Sequence, residues 1–168
     1  MSITRFLQAP DTGSKYSDRP AEPCIMVIFG ASGDLTKRLL MPALFNLYCD
    51  GLLGSNFAII GIAMDGWTTD FFRERMTQDI RQFNTRKKFD ENLWAGFCQK
   101  LHYTPGKFDD PQAFKVLGEL IASLDSKYSA RGNILFYMAT PPSVFDLVSS
   151  HLQSSGIKDQ SKGWIRVI

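Results

Sequence analysis

The apolar positions of this chain fall into short blocks that switch between two periods. A continuous apolar run from Ile25 to Phe29 stops at Gly30, and a helix-forming segment starts by Asp34. A run without polar alternation reads as a strand covered on both faces. Leu35, Leu39, Leu40, Leu44, Leu47 and Tyr48 then recur at helical spacing, with Pro42 inside the pattern. Proline costs a helix interior about 3 kcal/mol, so the pattern predicts a short first helix and a second that restarts at Pro42. Asp50-Gly51 ends that helix, and Phe57 to Ile62 is the next continuous apolar run. Thr69 is expected to cap a helix that carries Phe72, Met76, Ile80 and Phe83 on one face. Shorter blocks predict a helix over Glu91 to Cys98, a strand over Leu101 to Thr104, and a helix over Pro111 to Leu124. A strand over Asn133 to Met138 follows, ended by Pro141-Pro142, then a helix from Val144 to Leu152 and a last strand from Trp164 to Ile168.

Strands that alternate with helices build βαβ units, so the expected fold is α/β: a doubly wound, mostly parallel sheet with helices on both faces, Rossmann-like. Residues 1–23, with Pro10, Gly13, Pro20 and Pro23 among balanced charges, read as a flexible tail before a single domain over 24–168. At 168 residues, 44% hydrophobic and 21% charged, the chain has the composition of an ordinary globular domain. A net charge of +2 gives no electrostatic footprint for nucleic acid or a membrane surface. Three widely spaced cysteines, Cys24, Cys49 and Cys98, suit a reduced, cytoplasmic protein, and no group of residues has metal-ligand spacing.

The chemistry-bearing motif is Gly30-Ala-Ser-Gly33 between the first strand and the first helix. A tight turn there aims backbone N–H groups and the positive end of a helix dipole at a phosphate. Gly30 permits the turn and Gly33 the close approach of a cofactor to the backbone. Two glycines alone are weak evidence, and a plain helix cap by Ser32 or Asp34 explains them too. The strand–turn–helix context favours the nucleotide reading.

Phe29-Gly-Ala-Ser-Gly-Asp-Leu-Thr-Lys-Arg38, followed by Pro42-Ala-Leu-Phe-Asn-Leu47, closely resembles the N-terminal coenzyme domain of the glucose-6-phosphate dehydrogenase family. Ile60 to Ala63, Gly132 to Pro142 and Gly163 to Ile168 are similar to that family in order and spacing. The resemblance implies that Gly30, Ala31, Ser32, Gly33, Asp34, Leu35, Thr36 and Lys37 cradle the pyrophosphate of NADP. It also implies that the loop holding Ala139, Pro141 and Pro142, with Phe145 behind it, approaches the nicotinamide, while Asp65 lies at the adenosine end. The family chemistry is hydride transfer from glucose 6-phosphate to NADP, giving the lactone at the entry to the pentose phosphate pathway.

Three departures qualify the resemblance. Family members usually carry a lysine after the arginine matching Arg38, where it reaches the sugar-phosphate site; here that residue is Leu39. They commonly place an arginine at the end of the second strand, suited to the 2′-phosphate of NADP; here the residues are Met64-Asp65. A carboxylate at that place suits the 2′-hydroxyl of NAD, unless Lys37 or Arg38 compensates, so NADP is expected with NAD open. The family's Glu-Lys-Pro-Phe-Gly segment, its arginine-isoleucine-aspartate-histidine motif and its substrate domain do not occur in these residues. His102 and His151 fall in no family catalytic motif, and hydride transfer from an alcohol needs a base, so no catalytic residue is assigned.

Two functions remain. One is the coenzyme domain of a longer dehydrogenase, which meets glucose 6-phosphate only when the substrate domain is supplied. The other is a non-catalytic dinucleotide-binding or assembly module derived from that family. A third, an unrelated dinucleotide reductase with a Tyr-x-x-x-Lys pair, is set aside. A last strand without its covering helix would leave apolar surface that favours self-association.

Overall fold

The computed structural model describes residues 19–157 and 163–168. Five strands form one sheet: β1 (Cys24–Phe29), β2 (Phe57–Ala63), β3 (Leu101–Pro105), β4 (Ile134–Met138) and β5 (Ile165–Val167). All pairings are parallel and the order is β3-β2-β1-β4-β5. Phe29 pairs with Ile62 on one side and Met138 on the other, which puts the carboxyl end of β1 in the middle of the sheet. The strand order reverses there, and doubly wound folds open their ligand crevice at that point.

Five helices cover the two faces: α1 (Met41–Cys49), α2 (Thr69–Phe83), α3 (Glu91–Cys98), α4 (Pro111–Tyr128) and α5 (Phe145–Ser154). Alternation along β1 explains the two cores. Cys24, Met26 and Ile28 pack with Phe45 of α1, Phe72 and Met76 of α2, and Trp94 and Phe97 of α3. Ile25, Val27 and Phe29 face the other way, against Phe114 and Leu117 of α4 and Val148 and Leu152 of α5. Because both faces are filled, β1 and β2 are buried at every position. That burial is why their sequences run apolar without a break.

Two local expectations are corrected and a third shifts by one residue. The helix does not restart at Pro42: Leu40 and Met41 keep helical dihedrals, and Thr36–Leu40 is a π-helical turn that runs into α1. Met41 N–H donates to the Thr36 carbonyl, five residues back. The wider turn makes room for the Pro42 ring, which in a regular helix would strike the carbonyl four residues earlier. The cap of α2 is Thr68, whose hydroxyl accepts the Phe71 N–H at 3.1 Å. Thr69 instead turns its hydroxyl to β3, accepting from Tyr103 N–H at 3.0 Å and donating to the Tyr103 carbonyl at 3.3 Å. The helix expected over Val144 to Leu152 is α5, which begins one residue later, at Phe145, after a 3₁₀ turn over Pro142–Val144.

In the segment expected as a tail, residues 1–18 lie outside the described residues. Ala21 to Pro23 are held to the body by Ala21 N–H on the Leu52 carbonyl, by Trp164 Nε1–H on Glu22 and by the Asn133 amide on the Pro23 carbonyl. Among the described residues, no helix is long and apolar enough to cross a membrane.

Candidate functional site

The glycine turn is fastened to the end of β2 and lies against the loop beyond β4. Gly30 and Ala31 N–H both donate to the Ile62 carbonyl, at 2.9 and 3.2 Å, and Gly33 N–H closes the turn on the Gly30 carbonyl at 3.0 Å. Gly30 has φ +85°, and a Cβ there would collide with the Ala139 carbonyl oxygen beyond β4. Only glycine lets the β1 turn and the β4 loop lie this close. Ala31 is fully buried. Ser32 and Gly33 are half-buried, and Asp34 and Leu35 are exposed at the mouth. Thr36 is fully buried, and its hydroxyl donates back to the Gly30 carbonyl at 3.3 Å.

Lys37 and Arg38 are both turned onto Asp34, at 3.3 and 2.7 Å. Their hydrogen bonds hold the Asp34 carboxyl below its usual range, Arg38 contributing most. Arg38 also lies over the Phe83 ring, 4.7 Å from its centre. The structure thus brings Gly30 to Lys37 and Ala139 together at the carboxyl end of β1. Pro141 and Pro142 form the exposed rim of the same loop, and Asp65 stands at the end of β2. Phe145 opens α5 directly after that loop, its N–H donating to the Pro142 carbonyl, and is 37% exposed.

Two polar groups at the turn lack partners. The Thr140 hydroxyl, two residues past β4 and against Gly30, is buried with nothing to bond. The Ser32 N–H has no partner among the described residues. A buried polar side chain is ordinarily satisfied, so the Thr140 hydroxyl calls for a partner supplied from outside, while the Ser32 N–H, on a half-buried residue, is a donor left open at the start of the helix. A phosphate oxygen at a helix N-terminus fits both. Thr140 is a site residue that the motif does not reveal; its signal in the sequence is a hydroxyl just beyond a strand at the topological switch.

The two histidines stay out of this place. His102 is buried in β3 with Nε2 3.2 Å from the Tyr128 hydroxyl, and burial depresses its pKa to about 4. His151 stacks on Phe114, ring centres 4.9 Å apart, between α5 and α4. The chain does contain one Tyr-x-x-x-Lys, Tyr103 to Lys107, which the sequence reading passed over. Tyr103 is no reductase acid: it is buried in β3 and donates to the carbonyls of Ala63 and Asp65 at 3.2 and 2.8 Å. Burial drives its pKa well above the usual phenol value. No group of three or more metal-ligating side chains occurs among the described residues.

A parallel sheet with its glycine turn at the strand-order switch, and with unpartnered donors around a helix N-terminus, defines a dinucleotide-binding domain of the doubly wound class. The family model "Glucose-6-phosphate dehydrogenase, NAD binding domain" matches residues 27–168. The chain belongs to the glucose-6-phosphate dehydrogenase family and carries its nucleotide-binding domain. It is 39% identical over 160 residues to glucose-6-phosphate 1-dehydrogenase of Chlamydia pneumoniae, covering 93% of this chain and 31% of that protein. It is 36% identical over 159 residues to glucose-6-phosphate 1-dehydrogenase 2 of Mycobacterium bovis, again covering 31% of the relative. Among solved structures, a glucose-6-phosphate dehydrogenase in complex with its substrate glucose-6-phosphate superposes with a TM-score of 0.76 at 30% identity, over 89% of this chain and 30% of the other. The enzyme from Mycobacterium avium gives a TM-score of 0.70 at 27% identity, over 88% of this chain. The chain spans about a third of the length of the curated relatives it matches.

Proposed function

We propose that this chain is the coenzyme-binding part of a glucose-6-phosphate dehydrogenase and holds a nicotinamide dinucleotide across the carboxyl ends of β1, β2 and β4. The carrying observation is the glycine turn with its two unsatisfied donors, Ser32 N–H and Thr140 Oγ1. Ser32 N–H and the start of the helix bind the pyrophosphate, and Gly33 leaves its backbone open to it. Asp34 would repel the pyrophosphate, but Lys37 and Arg38 draw its carboxylate to themselves. The Ala139–Pro142 loop borders the nicotinamide. The bound dinucleotide supplies the hydride acceptor for oxidation of the sugar phosphate.

The described residues offer no base for the sugar hydroxyl, because His102 and His151 are both spent in packing. Turnover of glucose 6-phosphate therefore requires the part of the relatives that this chain does not span. Leu39, 64% exposed where relatives commonly carry a lysine, favours the second reading, a binding module without catalysis. Calorimetric titration of the chain with NADP, NAD and glucose 6-phosphate tests the binding. Dinucleotide uptake without turnover is the expected result; absence of uptake of either dinucleotide up to millimolar concentration removes the proposal.

A further inference from the structure

We infer that Asp65 makes this site select NAD over NADP by receiving the adenosine ribose and turning away a 2′-phosphate. The inference rests on the dinucleotide reading above. The placement is set by hydrogen bonds on both sides of β2. Through Gly30 and Ala31 N–H, the glycine turn hangs on the Ile62 carbonyl, three residues before Asp65. On the other side, the Asp65 carbonyl accepts from the Tyr103 hydroxyl and from Trp67 N–H, both at 2.8 Å. The backbone at Asp65 is therefore fixed beside the phosphate cradle. Its side chain is exposed and makes no ion pair among the described residues. Met64, 71% exposed, adds an apolar thioether next to it, suited to the face of an adenine.

A free carboxylate at this strand end accepts hydrogen bonds from the vicinal hydroxyls of a ribose. Against a phosphate dianion it has only repulsion to offer. The cations that would reverse this preference are placed elsewhere. Lys37 is paired with Asp34. Arg38 is paired with Asp34 and lies over Phe83, the last residue of α2, whereas Asp65 precedes the first residue of that 15-residue helix. A helix of that length separates its ends by about 20 Å. Lys107 is the remaining cation in the loops at the carboxyl ends of the described strands. It follows Gly106, whose N–H donates to the Ala63 carbonyl, and so sits on the β3 side of β2, away from the glycine turn.

Titrating the chain and its Asp65→Ser and Lys107→Ala variants calorimetrically with NAD and with NADP tests this, with far-ultraviolet circular dichroism to verify that each variant is folded. The wild type is expected to bind NAD about tenfold or more tightly than NADP, the penalty of one close like-charge contact. Asp65→Ser should erase most of that ratio by weakening NAD and strengthening NADP, and Lys107→Ala should leave NAD binding unchanged. NADP binding as tight as NAD, or a ratio that Asp65→Ser does not move, overturns the role of Asp65 while leaving the site intact. Failure of both dinucleotides to bind overturns the site itself, and Asp65 with it.

Discussion

At the scale of single residues, the two glycines of the turn do different work, and substitution separates them. Gly30 is required by the fold: a side chain there would meet both a left-handed backbone and the Ala139 carbonyl. Gly30→Ala should destabilise the chain by about 2 kcal/mol or more, since backbone strain of this kind alone costs about 1–3 kcal/mol. Gly33 is less constrained: it has no left-handed φ, and a Cβ there meets only the Gly30 carbonyl, at a tight 3.1 Å that a small shift of the turn relieves. Gly33→Val should keep most of the stability and lose dinucleotide binding by about tenfold or more, because its methyl groups occupy the pyrophosphate's approach. Chemical denaturation and calorimetry on the two variants measure both quantities. Equal losses of stability, or undiminished binding by Gly33→Val, would contradict this division of roles.

At the scale of elements, the strands were legible because burial on both faces leaves no polar position in β1 or β2. The helices were legible where an apolar stripe repeats, as at Phe72, Met76 and Ile80. What the pattern misread were competitions between local and tertiary forces. Pro42 predicts a break, yet a π turn over Thr36–Leu40 absorbs the ring while packing against α2 holds the helix together. Thr68 and Thr69 are indistinguishable as caps in the sequence, and only the position of β3 assigns Thr69 to Tyr103. Placement of the glycine turn was readable, because Gly30 and Gly33 stand directly after β1. Thr140 was not, because its meaning depends on a contact with a residue 110 positions earlier.

β3 also carries a pH dependence. His102 is 9% exposed, and burial, then the charges of Arg73 and Lys127, depress its pKa from 6.5 to about 4. The unfolded chain therefore takes up this proton first as pH falls. Stability is fully present above pH 6.5 and is lost progressively down to about pH 4, with a slope approaching about 1.4 kcal/mol per pH unit. His102→Gln, which keeps a polar partner for the Tyr128 hydroxyl, should flatten this part of the stability–pH curve. An unchanged slope in denaturant titrations between those pH values would count against the assignment.

At the scale of the whole molecule, one face of the sheet is thinly covered beside α1 among the described residues. A groove of about 570 Å³ runs between α1 and the β1-β4-β5 face, lined by Met26, Leu44, Leu47, Leu135, Tyr137 and Trp164. The self-association expected from the uncovered last strand would draw on this apolar lining, and light scattering tests it: a concentration-dependent rise in mass is the expected result, and a monomer at every concentration would contradict it. A larger cavity, about 740 Å³ between α4 and α5, includes His151 but none of the residues expected in the dinucleotide site. The dinucleotide is therefore expected in the open crevice at the strand switch rather than in that hollow. Amide chemical-shift mapping of the isotopically labelled chain, titrated with NAD, decides between these places. Shifts are expected to concentrate at Gly30–Lys37, Met64–Asp65 and Ala139–Thr140. Shifts confined to α4 and α5, or absent at saturating dinucleotide, would contradict that placement.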